Sequence, residues 1–345
     1  MLLVSHYTDY WEKIFLEGYR ENMKTLIFLP YFGKFNNYFE LWLNSCGKNP
    51  DFDWLIFSDA TLCATLPENV KIIHCTLSEL KEKFQKKLDV SLVLKDAYKL
   101  CDYKQFYGYL FSEYLQGYDY WGYCDCDLIF GNIRGFLSRN LQDTYDKLFR
   151  TGHFSIIRND PKLNELFFKY GTYKITLTSP VIYGYDESIT GYHLGFAGEL
   201  IENGYTFGDF AEWIADIDFR HYPFYEISNT VSPCIFLYEN GRVYRLDKEK
   251  NIIKKQERMY VHLQKRKLYV DPDIDPNRFL ICPNRFCKYS EEILENEEFW
   301  KNAFQEQDKY FDCRLEQKMN CMRDIKRLLH EPHKLSCILY RLRGH

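Results

Sequence analysis

The sequence predicts an α/β fold whose central sheet is largely parallel and flanked by helices. In about the first 130 residues, apolar runs of strand length recur, segments with helical apolar spacing lie between them, and polar residues follow the carboxyl ends of the runs. Strands that alternate with helices are typical of parallel sheets. The 345 residues, 46% of them hydrophobic, suffice for one large domain with appendages or at most two domains.

Four segments are predicted as buried strands. KTLIFLPYFG (24–33) is stopped by Pro30, and DFDWLIFSDA (51–60) and NVKIIHC (69–75) follow it along the chain. The aromatic stretch YDYWGYCDCDLIFG (118–131) is typical of a central strand. Ligands of such sheets bind outside the carboxyl ends of the strands, where this chain places its polar residues.

Three segments are predicted as helices. FNNYFELWLNSC (35–46) has apolar residues at helical spacing. Thr76 and Glu79 have the spacing of a capping box that opens a charged helix. DAYKLCDYKQFYGYLFSEYLQGY (96–118) is predicted as one long helix with an apolar face, capped by Asp96.

Charge and cysteine usage exclude some classes of protein. A net charge of -4 argues against a general nucleic-acid binder. The twelve cysteines are scattered singly through apolar contexts and form no C-x-x-C zinc spacing. The opening residues lack a secretory pattern, and no apolar stretch of about 18 residues could span a membrane. We therefore expect a reduced, cytoplasmic protein.

The carboxyl-terminal segment is basic. From Arg314 onward it holds eight Lys or Arg residues and three Asp or Glu residues, with apolar residues between them. Two interpretations stay open. A basic amphipathic helix could lie on an anionic membrane surface such as the inner face of the plasma membrane, or a terminal helix could pack on its own domain.

Asp125 and Asp127 follow the predicted central strand with one residue between them. Because side chains alternate along a strand, both carboxylates are expected on the same side. Two carboxylates so placed repel each other unless a cation lies between them. Mg²⁺ or Mn²⁺ held by carboxylates usually completes its shell with phosphate oxygens and water. The pair therefore predicts a site for a metal and a diphosphate.

Two other interpretations of this stretch remain. An isolated D-x-D pair can cap a turn or form surface salt bridges. Cys124 and Cys126 flank the aspartates and could favour a soft metal such as zinc, although two thiols one residue apart make a poor tetrahedral pair.

A second polar element lies far along the chain. RMYVHLQKRKLYV (258–270) predicts a strand, a basic turn and a strand. His262 can take one site on Mn²⁺, and Lys265 and Arg266, with Lys267 beside them, can neutralise phosphate charge. The alternative is a core histidine that precedes a solvated hairpin turn.

Five blocks in order carry a resemblance to a known family. They are PYFGKFNNYFELWLNSC, DWLIFSD, YKLCDYKQFYGYLF, GYDYWGYCDCDLIFGNI and YVHLQKRK. Together they closely resemble a bacterial family regarded as glycosyltransferases, which carries YFG, KLCD, WGYxDxD and HLQKR blocks and is tied to capsule and other surface-polysaccharide genes. The similarity spans roughly residues 24 to 270. More distantly, EYLQGYDYWGYCDCD is similar to the D-x-D region of retaining sugar transferases.

The resemblance implies a GT-A fold, in which a Rossmann-like nucleotide half and an acceptor half share one sheet. It also implies a nucleotide-sugar donor, with UDP favoured, Mn²⁺ or Mg²⁺ as cofactor, and a glycan or lipid-linked glycan as acceptor. The implied domains are an extension (1–23), a catalytic domain (24–290) with halves at about 24–131 and 132–290, and a helical, basic segment (291–345).

The resemblance also implies roles for individual residues. Asp125, Asp127 and His262 would hold the metal, and Lys265 and Arg266 would bind the diphosphate. Pro30, Tyr31 and Phe32 would line the base pocket. Asp59 would hydrogen-bond the base or ribose, and Lys99 and Asp102 would reach the ribose or donor sugar.

An inverting transferase would also need a general base, and AEWIADIDF offers Glu212, Asp216 and Asp218. A retaining enzyme could do without one, and the distant similarity favours retention slightly. Two rival functions remain. A nucleotidyltransferase would show a Gly-rich phosphate loop, which PYFGKF lacks. A non-catalytic carbohydrate- or nucleotide-binding protein would need the aspartates only for stability.

Overall fold

The computed structural model describes residues 23–137, 143–180, 182–184, 195–250, 252–264 and 266–305. The predicted extension therefore lies almost wholly outside the described residues, as does the basic tail from Arg314 onward. Within the described ranges, no helix is both long and apolar enough to cross a membrane. The nine cysteines in these ranges are free thiols.

A seven-stranded sheet is built from strands that lie between Thr25 and Gly208. Its first four strands lie in the order β3-β2-β1-β4 and are parallel, while β7 continues the sheet antiparallel to β4. The bounds are β1 Thr25–Pro30, β2 Phe52–Ser58, β3 Val70–His74, β4 Tyr120–Cys124, β6 Lys147–Leu148, β7 Phe154–Arg158 and β8 Phe207–Gly208. Strands β2 and β3 extend the sheet on one side of β1, whereas β4 lies on its other side. This switch in strand order between β1 and β4 is typical of a Rossmann-like sheet. The predicted α/β class with a GT-A architecture is confirmed.

The core explains why these segments are strands. Side chains of β1 alternate between two apolar clusters, with Leu26 and Phe28 on one face and Ile27 and Leu29 on the other. Both faces are covered, so the strands are apolar almost throughout. The first three predicted strand segments are found within a few residues of their expected bounds, whereas 118–131 divides into two strands, Tyr120–Cys124 and Leu128–Phe130.

The helices cover these faces. The first, Phe39–Gly47, matches prediction, and Leu77–Gln85 opens with the expected capping box between Thr76 and Glu79. The other α-helices are Tyr107–Leu110, Ile133–Phe136, Pro161–Asn164, Thr172–Thr178, Phe196–Glu202, Glu291–Glu295 and Glu297–Phe304.

The prediction of a single helix over 96–118 is wrong. The chain instead forms a 3-10 helix at Ala97–Phe106, the short α-helix Tyr107–Leu110 and a further 3-10 turn at Ser112–Tyr114. Asp96 does cap the first of these, accepting from the Lys99 backbone N–H. With three residues per turn, a 3-10 helix brings residues three apart into line, which lets buried polar side chains pair within the segment.

Two further sheets complete the described chain. One runs β13-β12-β11-β16-β17-β15, with β10 paired to β11; the other is β5-β14-β9. Their bounds are β5 Leu128–Phe130, β9 Ile214–Asp216, β10 Phe224–Glu226, β11 Asn229–Glu239, β12 Arg242–Glu249, β13 Ile252–Arg258, β14 Tyr260–His262, β15 Tyr269–Val270, β16 Arg278–Cys282 and β17 Arg285–Lys288. The hairpin alternative for 258–270 is wrong, because β14 pairs with β5 and β9 while β15 pairs with β17.

Candidate functional site

The two aspartates lie in the short connection between β4 and β5. They are therefore not successive same-side residues of one regular strand, as the sequence led us to expect. Backbone hydrogen bonds fix the connection instead: the Asp125 N–H donates to the His153 carbonyl (2.9 Å), and the Leu263 N–H donates to the Asp127 carbonyl (2.9 Å). Both carboxylates are thus held at the carboxyl end of the parallel strands.

The small sheet brings His262 to the aspartates. In its register, His262 is opposite Leu128 on one side and Asp216 on the other. The His262 Nε2 atom lies 3.7 Å from Asp127 Oδ1, and its Nδ1 atom lies 2.7 Å from Asp216 Oδ1. Residues 135 positions apart in sequence therefore face each other because β14 joins β5.

Asp125, Asp127 and His262 together have the spacing of a metal site. One ligand atom from each lies within 4.8 Å of the other two. Burial alone would lower the pKa of His262, but the carboxylates of Asp216, Asp127 and Asp125 outweigh it and raise the pKa. That direction reports an excess of negative charge around the ring. Two carboxylates and an imidazole suit Mn²⁺ and, less specifically, Mg²⁺.

Lys104 is a site residue that the sequence reasoning missed. Its Nζ atom lies 2.7 Å from Asp125 Oδ1 and donates to the Gly152 carbonyl at 2.6 Å. The lysine side chain is 8% exposed and the Asp125 side chain 35% exposed. The signal in the sequence was a lysine within an apolar segment, where a buried ammonium needs an anionic partner.

His153 was also missed. Its ring stacks on His262, with centroids 3.9 Å apart and planes inclined by 29°. Burial, with smaller contributions from His262 and Lys104, holds the pKa of His153 well below its usual value. The His153 ring is therefore uncharged where it stacks on His262. A lone histidine before β7 gave no pattern by which to find it.

The acidic run 211–219 divides among different places. Glu212 is exposed on the 3-10 turn Ala211–Trp213. Asp216 binds His262, and its Oδ1 also accepts from Gln264 Nε2 at 2.8 Å. Asp218 accepts from Arg220 at both carboxylate oxygens. Burial alone would raise the pKa of Asp218, but the Arg220 hydrogen bonds and charge lower it.

The loop after β1 lies beside the aspartates. Tyr31 stacks on Phe35 with centroids 4.8 Å apart, and burial, aided by Cys126, raises its pKa to about 12. Asp59, at the end of β2, accepts from the Gly33 N–H at 2.7 Å and so fixes the loop. Pro30 ends β1 and the half-buried Phe32 packs against the core, so the four residues predicted to bind the nucleoside are neighbours.

Lys99 and Asp102 pair with each other. Their Nζ and Oδ2 atoms are 2.7 Å apart, and both side chains are buried. Asp102 also accepts the backbone N–H groups of Tyr183 and Gly184 at 2.9 Å. The pair therefore secures the segment 182–184 to the 3-10 helix.

Arg266 faces inward. Its guanidinium donates to the carbonyls of Tyr222 (2.7 Å), His221 (2.5 Å) and Asp218 (3.0 Å) and is buried. It thereby fixes the segment 218–222. Lys265, its predicted partner at the diphosphate, lies outside the described residues.

The zinc alternative finds no support in this arrangement. Burial raises the pKa of the Cys124 and Cys126 thiols, which disfavours the thiolate form that binds a metal. Within the described ranges, the two clusters with metal-ligand spacing consist of His and Asp only.

Three of the solved structures that match the chain are glycosyltransferases by title. They are the galactosyltransferase LgtC with donor and acceptor sugar analogs (9% identity, TM-score 0.34, 56% of this chain and 75% of that chain), GlyE of Streptococcus pneumoniae (10%, 0.33, 58% and 47%), and mouse xyloside xylosyltransferase 1 (11%, 0.34, 57% and 88%). At these scores the fold assignment rests on the sheet topology described above. No curated protein matches the chain at a significant level.

One family model spans most of the sequence. It covers residues 27–290, which include both aspartates and His262, and it is described as a family of unknown function, DUF6625. Because the match extends over more than half of the chain, this protein belongs to the DUF6625 family.

Proposed function

We propose that the protein is a metal-dependent glycosyltransferase that moves a sugar from a nucleotide-sugar donor to a glycan acceptor. The observation that carries the proposal is the convergence of Asp125, Asp127 and His262 at the carboxyl ends of the parallel strands. Ligands of α/β sheets bind at that edge. The order of sequence blocks that resemble a surface-polysaccharide transferase family supports the same function.

In this proposal Asp125, Asp127 and His262 hold Mn²⁺ or Mg²⁺. A divalent ion held by these residues would supply positive charge to stabilise the diphosphate leaving group. The protein supplies the fixed frame: the Leu263 and Asp125 N–H groups hold the connection that carries both carboxylates. Lys265, by its sequence position, would add a cation at the diphosphate.

Lys104 has a distinct task in this proposal. It holds the half-exposed Asp125 in place and compensates part of the acidic charge before the ion binds. Its ammonium also donates to the Gly152 carbonyl, and this second hydrogen bond keeps the lysine in place beside Asp125.

The nucleoside would lie along the loop after β1. Tyr31 and Phe32 offer aromatic surface, and Asp59 holds the loop through the Gly33 N–H. Gly33 has a φ of 92°, a conformation that favours glycine. A flat base against these rings and a diphosphate at the aspartates would place the sugar deeper along the same edge.

Retention of configuration is the favoured stereochemical outcome. Of the three acids predicted as general bases, Asp216 is bound to His262 and Asp218 to Arg220, while Glu212 is exposed on its turn. An inverting enzyme needs such a base close to the acceptor hydroxyl, whereas a retaining one can act without it.

Metal-dependent nucleotide binding tests the proposal. Thermal unfolding would be followed with UDP, GDP, CDP or no nucleotide, each with and without Mn²⁺, because a ligand raises apparent stability only if the native state binds it. We expect a UDP shift that requires Mn²⁺ and is lost in Asp127→Asn. Stabilisation by free sugars without metal would instead indicate a non-catalytic carbohydrate-binding protein.

Turnover separates the remaining alternatives. A panel of sugar nucleotides would be incubated with protein and Mn²⁺, and release of nucleoside diphosphate would be measured. Release of diphosphate with transfer or hydrolysis of the sugar supports the transferase. Release of pyrophosphate from a nucleoside triphosphate would indicate a nucleotidyltransferase, and binding with no release would overturn the enzymatic function.

A further inference from the structure

We propose that Asp216 is a positioning residue, which holds His262 with its Nε2 lone pair directed at the metal. The proposal rests on the metal site of the proposed function and assigns Asp216 a role other than general base. The imidazole is a competent ligand because a carboxylate on the neighbouring strand fixes its ring and its tautomer.

The two nitrogens of His262 have different partners. Nδ1 is 2.7 Å from Asp216 Oδ1, which is hydrogen-bond distance, whereas Nε2 is 3.7 Å from Asp127 Oδ1. An ionised carboxylate only accepts, so Nδ1 must carry the proton in the bond to Asp216. In a neutral ring the lone pair is then on Nε2, on the side of Asp125 and Asp127.

Asp216 is itself held in place. Its Oδ1 atom accepts a second hydrogen bond, from Gln264 Nε2 at 2.8 Å. Gln264 has a φ of 51°, a conformation uncommon for a residue with a side chain. This turn at the end of β14 sends the Gln264 side chain back toward β9. Two donors on one oxygen therefore fix the carboxylate that fixes the histidine.

A competing placement of the ion can be excluded by geometry. His153, Asp216 and His262 also have ligand atoms within 4.8 Å of one another. A metal ion lies close to the plane of an imidazole that binds it, at about 2 Å from the nitrogen. The two rings are stacked 3.9 Å apart at 29°, so their planes do not meet within that reach. His153 therefore supports His262 by stacking and does not share an ion with it.

The expected effect follows from other histidine–metal sites. Loss of the carboxylate behind a ligating histidine typically weakens metal binding by about 10- to 100-fold. We expect Asp216→Ala to weaken Mn²⁺ binding within that range. Asp216→Asn keeps an acceptor oxygen without the charge and is expected to weaken it less.

Mn²⁺ affinity would be measured by calorimetric titration of the full chain, without nucleotide. The matched control is Asp146→Ala, since Asp146 is 20% exposed and bound to Arg158 while Asp216 is 24% exposed. In the same samples, brought to a pH at which the His262 ring is neutral, ¹⁵N chemical shifts of His262 would report its tautomer in the metal-free state. A purely structural role for Asp216 would leave the tautomer unchanged.

The outcomes separate this proposal from the function on which it rests. Weaker Mn²⁺ binding in Asp216→Ala, with loss of the Nδ1–H tautomer and normal binding in Asp146→Ala, supports it. Unchanged affinity in Asp216→Ala, or an Nε2–H tautomer in the wild-type protein, overturns this proposal alone. If Asp216→Ala fails to fold, Asp216→Asn is judged by the same two measurements. A wild-type protein with no affinity for Mn²⁺ overturns the metal site as a whole.

Discussion

Two clusters of charged side chains in this protein are balanced in different ways. The buried ion network consists of Glu226, Arg245, Asp247 and Arg258. Glu226 pairs with Arg258 at 2.8 Å and with Arg245 at 3.0 Å, and the three side chains are at most 5% exposed. Asp247 completes the set by accepting from Arg245 at 2.6 Å. Two carboxylates therefore face two guanidinium groups.

The candidate metal site, as far as the structure describes it, is more acidic. Asp125, Asp127 and Asp216 gather around His262, and Lys104 pairs with Asp125. Asp125 is 35% exposed, so the cluster opens to solvent. Removing one partner from a buried, mutually compensated network is costly to the fold, whereas an open cluster of carboxylates is suited to bind a cation. Charge balance therefore distinguishes the two roles.

The largest expected effect is on the buried ion network. Glu226→Gln removes the charge shared by two buried guanidinium groups and should lower the free energy of unfolding by about 3–5 kcal/mol. Urea denaturation measures it. Glu257→Gln, which breaks an Arg–Glu pair 51% and 29% exposed, is the control and should cost less than about 1 kcal/mol. Equal losses in both variants would contradict the distinction.

The second effect concerns the site. Asp127→Asn should weaken Mn²⁺ binding by about 100-fold, since it removes a charged ligand, yet leave the free energy of unfolding unchanged or slightly higher because two like charges no longer repel. Titration calorimetry and urea denaturation measure the two quantities. Asp119→Asn, just before the opposite end of β4, is the control. A large loss of stability with metal binding intact would make Asp127 a structural residue.

A smaller effect is expected at Lys104. Lys104→Met removes a positive charge beside Asp125, so Mn²⁺ should bind about tenfold more tightly while the metal-free protein becomes less stable. Titration and thermal unfolding with a chelator test both parts. Lys147→Met, at a buried lysine bound to the Phe149 carbonyl, should lose stability without a gain in affinity. Weaker Mn²⁺ binding in Lys104→Met would show that the lysine serves mainly to orient Asp125.

The smallest effect depends on pH. Arg220 holds the pKa of Asp218 below its usual value, so the pair stabilises the fold above the unfolded pKa of about 3.9 and loses that contribution as the pH falls through the folded pKa. Because Arg220 is 63% exposed, solvent screens the pair and its contribution should be small. In Asp218→Asn, the free energy of unfolding should fall less steeply as the pH is lowered in the acid range. An unchanged pH dependence of the free energy of unfolding would show that the pair contributes nothing.

Local patterns predicted much of the fold. The strands at 24–33, 51–60 and 69–75 and the capping box at Thr76 are found as expected, because buried parallel strands and helix caps are specified by adjacent residues. The helix expected over 96–118 was wrong, because its apolar spacing said nothing about the buried Lys99, Asp102 and Lys104 that need partners.

The metal ligands were proposed from two separate blocks, and the structure places these side chains together. The sequence did not identify the residues that support these ligands. Asp216 was expected as a base and lies behind His262, while Lys104 and His153 were not considered. Each of these contacts joins elements that are far apart in the chain, so no local spacing reports it.

The sequence by itself determined which residues form strands and where the acidic pair follows one of them, since burial and turn chemistry are encoded by neighbouring residues. The tertiary structure alone decided which carboxylates bind a lysine, which one faces the histidine, and which arginine turns inward to backbone carbonyls. Those choices depend on strand register and distance in space, because charges interact over ångströms and not over positions in the chain.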